Sequence, residues 1–160
     1  MTAKADFTPE DWTALVRAPL LAGMAISLAD PGGPIELTKE SMAAMKTVLE
    51  PVGGEQTELV AAVRADFEAM AKARQNPASG YKPKNPQELL DELGRVNAVV
   101  SSAATPEESD AFRALLKTAA QRAADAAKEG GFMGFGAEQV SAGEQRMLEQ
   151  IDAALAPPAA

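Results

Sequence analysis

Near its C-terminal end the chain reads Ala126-Ala127-Lys128-Glu129-Gly130-Gly131-Phe132-Met133-Gly134-Phe135-Gly136-Ala137-Glu138-Gln139-Val140-Ser141. An alanine-rich segment that stops at a double glycine is typical of the end of a long helix. Ser141 with Glu144 three positions later is a capping box, which predicts the start of another helix. The stretch is therefore interpreted as a glycine-aromatic joint between two helices.

The same start and stop signals divide the rest of the chain. Thr8-Pro9, Asn85-Pro86 and Thr105-Pro106 each place a capping side chain before a proline at the first helical position. Pro19 interrupts the first helix, so we expect a bent helix or two short ones there. The predicted helices cover residues 9–29, 38–50, 55–74, 85–103, 105–129 and 141–155.

These elements predict an all-α protein, a single-domain helical bundle of about six helices. The bundle is expected over residues 8–155, with an N-terminal tail at 1–7 and a disordered C-terminal tail at 156–160. Apolar spacing predicts which side chains face inward. For the second helix they are Met42, Met45, Val48 and Leu49, and for the fourth they are Leu89, Leu93, Val96, Val100 and Ala103.

The two ends of the chain share a pattern. Trp12-Thr13-Ala14-Leu15-Val16-Arg17 aligns with Phe112-Arg113-Ala114-Leu115-Leu116-Lys117 after a shift of 100 residues, and both helices end at an acidic residue and a double glycine. This echo indicates two pseudo-repeated helix–glycine loop–helix hairpins. Helix starts and stops share chemistry, so chance similarity remains an alternative interpretation.

Composition excludes several functional classes. The 160 residues contain no cysteine and no histidine, which excludes disulfides, thiolate or histidine metal ligands, and a serine–histidine triad. The net charge of −8 argues against nucleic-acid binding. The chain lacks a long uncharged apolar run and a signal-peptide core, so we expect a cytoplasmic protein that does not enter membranes.

Two motifs invite a ligand. The glycine joint lacks the Gly-Lys-Ser/Thr ending of a phosphate loop, and no Lys or Arg occurs between Lys128 and Arg146, so a structural joint is favoured. The second motif is the loop that follows the first predicted helix, where Asp30 and Glu40 are hard oxygen ligands that suit Ca²⁺ or Mg²⁺. The alternative there is a solvated turn with a helix-start acid. The sequence predicts no catalytic residue and no cofactor.

The aromatic part of the joint is the candidate partner-binding segment. Phe132, Met133 and Phe135 are apolar and lie between glycines, where they can pack on the preceding helix or contact another protein. The leading hypothesis is a non-enzymatic cytoplasmic module that binds protein, with a homodimer as one form of that interaction. The alternatives are a divalent-cation site at Asp30 and Glu40, or an enzyme that uses carboxylates alone.

Two resemblances accompany this interpretation. The run from Ala123 to Gly136, followed by Val140-Ser141 and Glu144, resembles a family of small all-helical bacterial proteins without an assigned function. The run Ala29-Asp30-Pro31-Gly32-Gly33 leading to Lys39-Glu40 is similar to the loop of tellurite-resistance (TerB-type) helical domains. The second resemblance implies duplicated helices and a role in metal or stress responses.

Overall fold

A computed structural model describes residues 2–29, 34–50, 56–128 and 140–159, with the backbone alone at residues 34–38, 127 and 128. It contains a short 3-10 helix at Lys4–Asp6 and six α-helices. They are α1 Pro9–Ala29, α2 Pro34–Leu49, α3 Glu58–Lys72, α4 Pro86–Ala103, α5 Pro106–Lys128 and α6 Ala142–Ala154. The prediction of an all-α, single-domain bundle of six helices is confirmed.

Some of the predicted helix starts are made by the expected caps. The Thr8 hydroxyl accepts a hydrogen bond from the Asp11 N–H at 3.1 Å, and the rings of Phe7 and Trp12 pack with centroids 5.7 Å apart as a hydrophobic staple. At α6, Ser141 and Glu144 form the reciprocal capping box. Local chemistry alone is enough to define these starts.

The hydrophobic core is formed around α1 and α5. Both helices contact α2, α3, α4 and α6, and α1 and α5 also pack on each other. The first half of α5 buries Phe112 and Leu116, and the second half buries Ala119, Ala120, Ala123 and Ala124. Small side chains in the second half of α5 let other helices approach it closely.

The structure decides between the two forms predicted for the first helix and corrects the predicted start of the second. α1 is one continuous helix from Pro9 to Ala29, so Pro19 does not divide it into two short helices. α2 begins at Pro34, four residues before the predicted start at Thr38. A proline at the first helical position needs no partner for its missing N–H, which explains why α2 can begin there.

The predicted inner face of α2 is wrong in part. Val48 is fully buried, but Met42 is 55% exposed and Met45 is 37% exposed. The buried face of this helix instead contains Glu40, Ala44, Thr47 and Val48. In α4 the predicted seam is confirmed from Leu89 to Val100, while Ala103 is exposed.

Polar contacts hold α4 in place. The Asn97 side-chain amide donates to the carbonyl oxygens of Ala154 and Ala156 at 3.3 and 2.8 Å and accepts from Arg113 at 3.1 Å. Asn97 therefore joins α4 to α5 and to the end of α6. Residues 2–7, predicted as a tail, also contact the bundle: Thr2 and Phe7 are buried.

Candidate functional site

The loop between α1 and α2 lies outside the described residues, but the helices beside it show where Glu40 points. The Glu40 side chain is 2% exposed, and the Ser27 hydroxyl of α1 donates a hydrogen bond to it. Ser27 also approaches the carbonyl oxygen of Gly23 at 3.3 Å. This predicted metal ligand therefore lies in the α1–α2 interface.

Of the two predicted metal ligands, Glu40 belongs to the described residues and Asp30 lies outside them. Within the described part of the chain, no group of three or more Asp or Glu side chains lies close enough together to hold a metal ion. The divalent-cation site at Asp30 and Glu40 stays a prediction.

The predicted partner-binding residues Phe132, Met133 and Phe135 also lie outside the described residues. The glycine loops of both halves of the internal echo lie outside the described residues as well. The partner role of these residues and the repeat stay predictions.

A different apolar surface appears on α2. Met42 and Met45 are exposed large hydrophobic side chains one helical turn apart, and we call this pair the methionine face. Leu28 of α1, at 39% exposure, completes the exposed large hydrophobic side chains of the described residues. The apolar spacing of the second helix predicts Met42 and Met45 as core residues, so this surface was not expected from the sequence.

The opposite face of α2 explains why the methionines point outward. A methyl group built on Gly23 of α1 would lie 2.6 Å from the Cβ atom of Ala44 and 3.8 Å from that of Ala123. Three helices therefore meet through small residues at this point. Only a face of α2 with small side chains, here that of Ala44, fits into such a close contact. Met42 and Met45 are therefore turned away from it.

The charged side chains between α1 and α4 form a network. Glu92 accepts from Arg17 at 2.6 Å and from the Nε atom of Arg95 at 3.0 Å, while Arg95 also reaches Asp11 at 2.8 Å. The guanidinium carbon of Arg17 lies 4.8 Å from the centroid of the Tyr81 ring, which is a cation–π distance.

This network favours ionised carboxylates. Burial alone would raise the pKa of Glu92, but hydrogen bonds from Arg95 and Arg17 lower it below its ordinary value. The pKa of Asp11 is lowered chiefly by its hydrogen bond with Arg95. A general acid at neutral pH needs a raised carboxyl pKa, so these shifts are those of structural ion pairs.

Helix α1 carries Asp11 and Arg17 of this network in an otherwise largely apolar sequence. By length and hydropathy Pro9–Ala29 could cross a membrane, as the core helices of many soluble proteins could, and 67% of its most apolar window is buried inside the bundle.

Comparisons with protein-family models, with curated proteins and with solved structures gave no match. The two resemblances drawn from the sequence are neither supported nor contradicted by these comparisons.

Proposed function

We propose that this chain is a non-enzymatic helical interaction module that binds protein through the methionine face, and that its partner there is a second copy of the chain. The observation that supports it is the exposure of Met42 and Met45 on a helix whose other face is packed tightly. Methionine side chains are flexible and polarizable, and they adapt well to an apolar partner surface.

The methionine face is complementary to itself. If two α2 helices pair antiparallel about a twofold axis, Met42 of one copy lies opposite Met45 of the other. Lys46 then lies opposite the uncharged Ser41 of the other copy. Lys39 and Lys46 also make this side of α2 locally basic, which reduces the repulsion between two chains that each carry a net charge of −8.

The expected dimer is weak. The 16 residues of α2 span about 24 Å, and one pair of such helices buries less than the roughly 1,200–2,000 Å² of a stable interface. We therefore expect a dissociation constant on the order of 100 μM, which corresponds to about −5.5 kcal/mol.

Sedimentation velocity over a concentration series tests the proposal. The wild type should show a rising weight-average sedimentation coefficient, and Met42→Glu should weaken dimerisation by about tenfold or more, because it places a charge in the contact. Leu28→Glu is the matched control, since it adds the same charge at another exposed apolar side chain. A wild type that stays monomeric throughout, or a Leu28→Glu variant that loses dimerisation while Met42→Glu keeps it, would overturn the proposal.

A further inference from the structure

A groove lies between the N-terminal 3-10 helix, α1 and α3, on a different surface from the methionine face. Its volume is about 350 Å³, at the small end of the range for ligand sites. Its apolar wall is formed by Trp12, Val16, Met70 and Pro77, and its polar lining includes Lys4, Asp66 and Gln75.

A carboxylate is held in position at the rim of this groove. The indole N–H of Trp12 donates to Oδ2 of Asp66 at 2.7 Å. This hydrogen bond joins α1 to α3. Hydrogen bonds from Lys4 and Trp12 lower the pKa of Asp66, so the carboxylate is charged at neutral pH.

An ammonium group already occupies this position. The Nζ atom of Lys4 lies 2.5 Å from Oδ2 of Asp66 and 5.7 Å from the centroid of the Trp12 ring. The carboxylate and the ring face therefore bind one cation together, which is a known arrangement for recognising organic ammonium ions.

The Lys4 ammonium is easy to displace. Its side chain is 61% exposed, and exposed ion pairs of this kind are weak because water screens the charges. Lys4 belongs to a three-residue 3-10 helix, and the neighbouring Thr2 and Phe7 have their own buried positions. The lysine side chain can therefore leave while the backbone around it stays in place.

A second groove provides an internal comparison. Lys117 pairs with Asp152 at 3.0 Å beside a groove of about 300 Å³ between α5 and α6, and no aromatic side chain lines it. Both grooves have a lysine–aspartate pair at the rim, but only the first adds an aromatic face and a donor that holds the carboxylate.

We propose that the groove beside Trp12 and Asp66 binds a small primary amine with an apolar body, and that Lys4 is its tethered occupant. The ammonium of the ligand replaces that of Lys4 on Asp66 and Trp12, and its apolar body fills the space along Val16, Met70 and Pro77. The ligand class follows from the negative charge of the rim and the apolar wall.

The single tryptophan of the chain makes the test direct. In a ¹H–¹⁵N spectrum the Trp12 indole N–H gives one cross-peak, which can be followed during titration with 2-phenylethylammonium. Because an exposed ion pair is weak, Lys4 competes only modestly for the site, and Lys4→Ala should lower the apparent dissociation constant by about two- to sixfold. Lys4→Gln should do the same, which guards against a folding defect in one variant.

Three controls define the site. Lys4→Ala combined with Asp66→Asn should abolish the shift, because asparagine keeps an oxygen that can accept from the indole but carries no charge. Lys117→Ala should titrate like the wild type, and 3-phenylpropionate should cause no shift in any variant. Equal amine affinity in the wild type and both Lys4 variants, no binding to either Lys4 variant, or binding that survives Asp66→Asn would each overturn the proposal.

Discussion

Gly23 is the residue at which α1, α2 and α5 come closest together. An alanine there would place its methyl group 2.6 Å from the Cβ atom of Ala44, which cannot rotate away. Overpacking of this kind costs about 1–3 kcal/mol, more than the gain of roughly 0.5–1 kcal/mol from replacing a mid-helix glycine. We therefore expect Gly23→Ala to lower the free energy of unfolding by about 1 kcal/mol or more, measured by urea denaturation.

Gly94 of α4 is the matched control. A methyl group at Gly94 would meet only the carbonyl oxygen of Ala154, at 3.9 Å. Gly94→Ala should therefore raise the free energy of unfolding by about 0.5–1 kcal/mol. Equal effects of the two substitutions would contradict the close approach at Gly23.

Glu108 should make the fold sensitive to acid. Burial disfavours its charge, but hydrogen bonds from Thr2 and Thr105 lower its pKa from 4.5 to about 2. Because the folded pKa is the lower one, the stabilisation is complete above pH 4.5 and is lost as the pH falls toward about 2.

Unfolding experiments across this pH interval test the role of Glu108. The free energy of unfolding of the wild type should fall as the pH drops from 4.5 toward 2, and Glu108→Gln should show a flatter dependence. Glu107, its exposed neighbour, provides the control Glu107→Gln, which should keep the wild-type slope. The same slope in Glu108→Gln and the wild type would remove this carboxylate from the acid response.

At the scale of elements, the charged network joins α1 to α4. Glu92 is 14% exposed and accepts from both Arg17 and Arg95. Removal of one partner of a buried ion pair costs about 3–5 kcal/mol, and the partial exposure of both arginines reduces this to about 1–2 kcal/mol for Glu92→Gln.

An exposed ion pair offers the comparison for this network. Lys72 and Glu68 of α3 lie 3.6 Å apart with side chains 80% and 46% exposed, so Lys72→Ala should change the free energy of unfolding by less than about 0.5 kcal/mol. Denaturation of both variants measures the difference. A cost for Lys72→Ala as large as that of Glu92→Gln would show that burial does not strengthen the α1–α4 network.

The elements also show what could be predicted from the sequence. Helix starts followed from local chemistry, since Thr8, Asn85 and Ser141 make their caps within a few residues. Which face of α2 is turned toward the core did not follow from local chemistry. It depends on contacts with Gly23 and Ala123, which are distant in sequence from Ala44. Hydrophobicity alone favoured Met42 and Met45 as core residues. The close contact with Gly23 instead requires the face of α2 that carries the small side chain of Ala44.

The candidate sites were less predictable than the fold. The ring of Trp12 packs on that of Phe7, which is close to it in the sequence. Its contacts with Asp66 and Lys4 join three separate segments, and no local pattern in the sequence indicates them. A groove formed between elements requires their relative positions, which the spacing of apolar residues does not provide.

The molecule as a whole is a helical bundle with a tightly packed interior, and its described residues include an exposed methionine face. The interior is stabilised by burial of the α1 and α5 surfaces. The methionine face is apolar surface left uncovered among the described residues, and association of two copies would remove it from water.

The most direct test follows the seven methionine methyl groups by ¹H–¹³C NMR as the protein is diluted. The methyl signals of Met42 and Met45 should shift with protein concentration, while that of Met147, which is 5% exposed, should not. This result would both demonstrate self-association and locate it on α2. Signals of Met42 and Met45 that stay constant from dilute to concentrated solution would contradict the central claim.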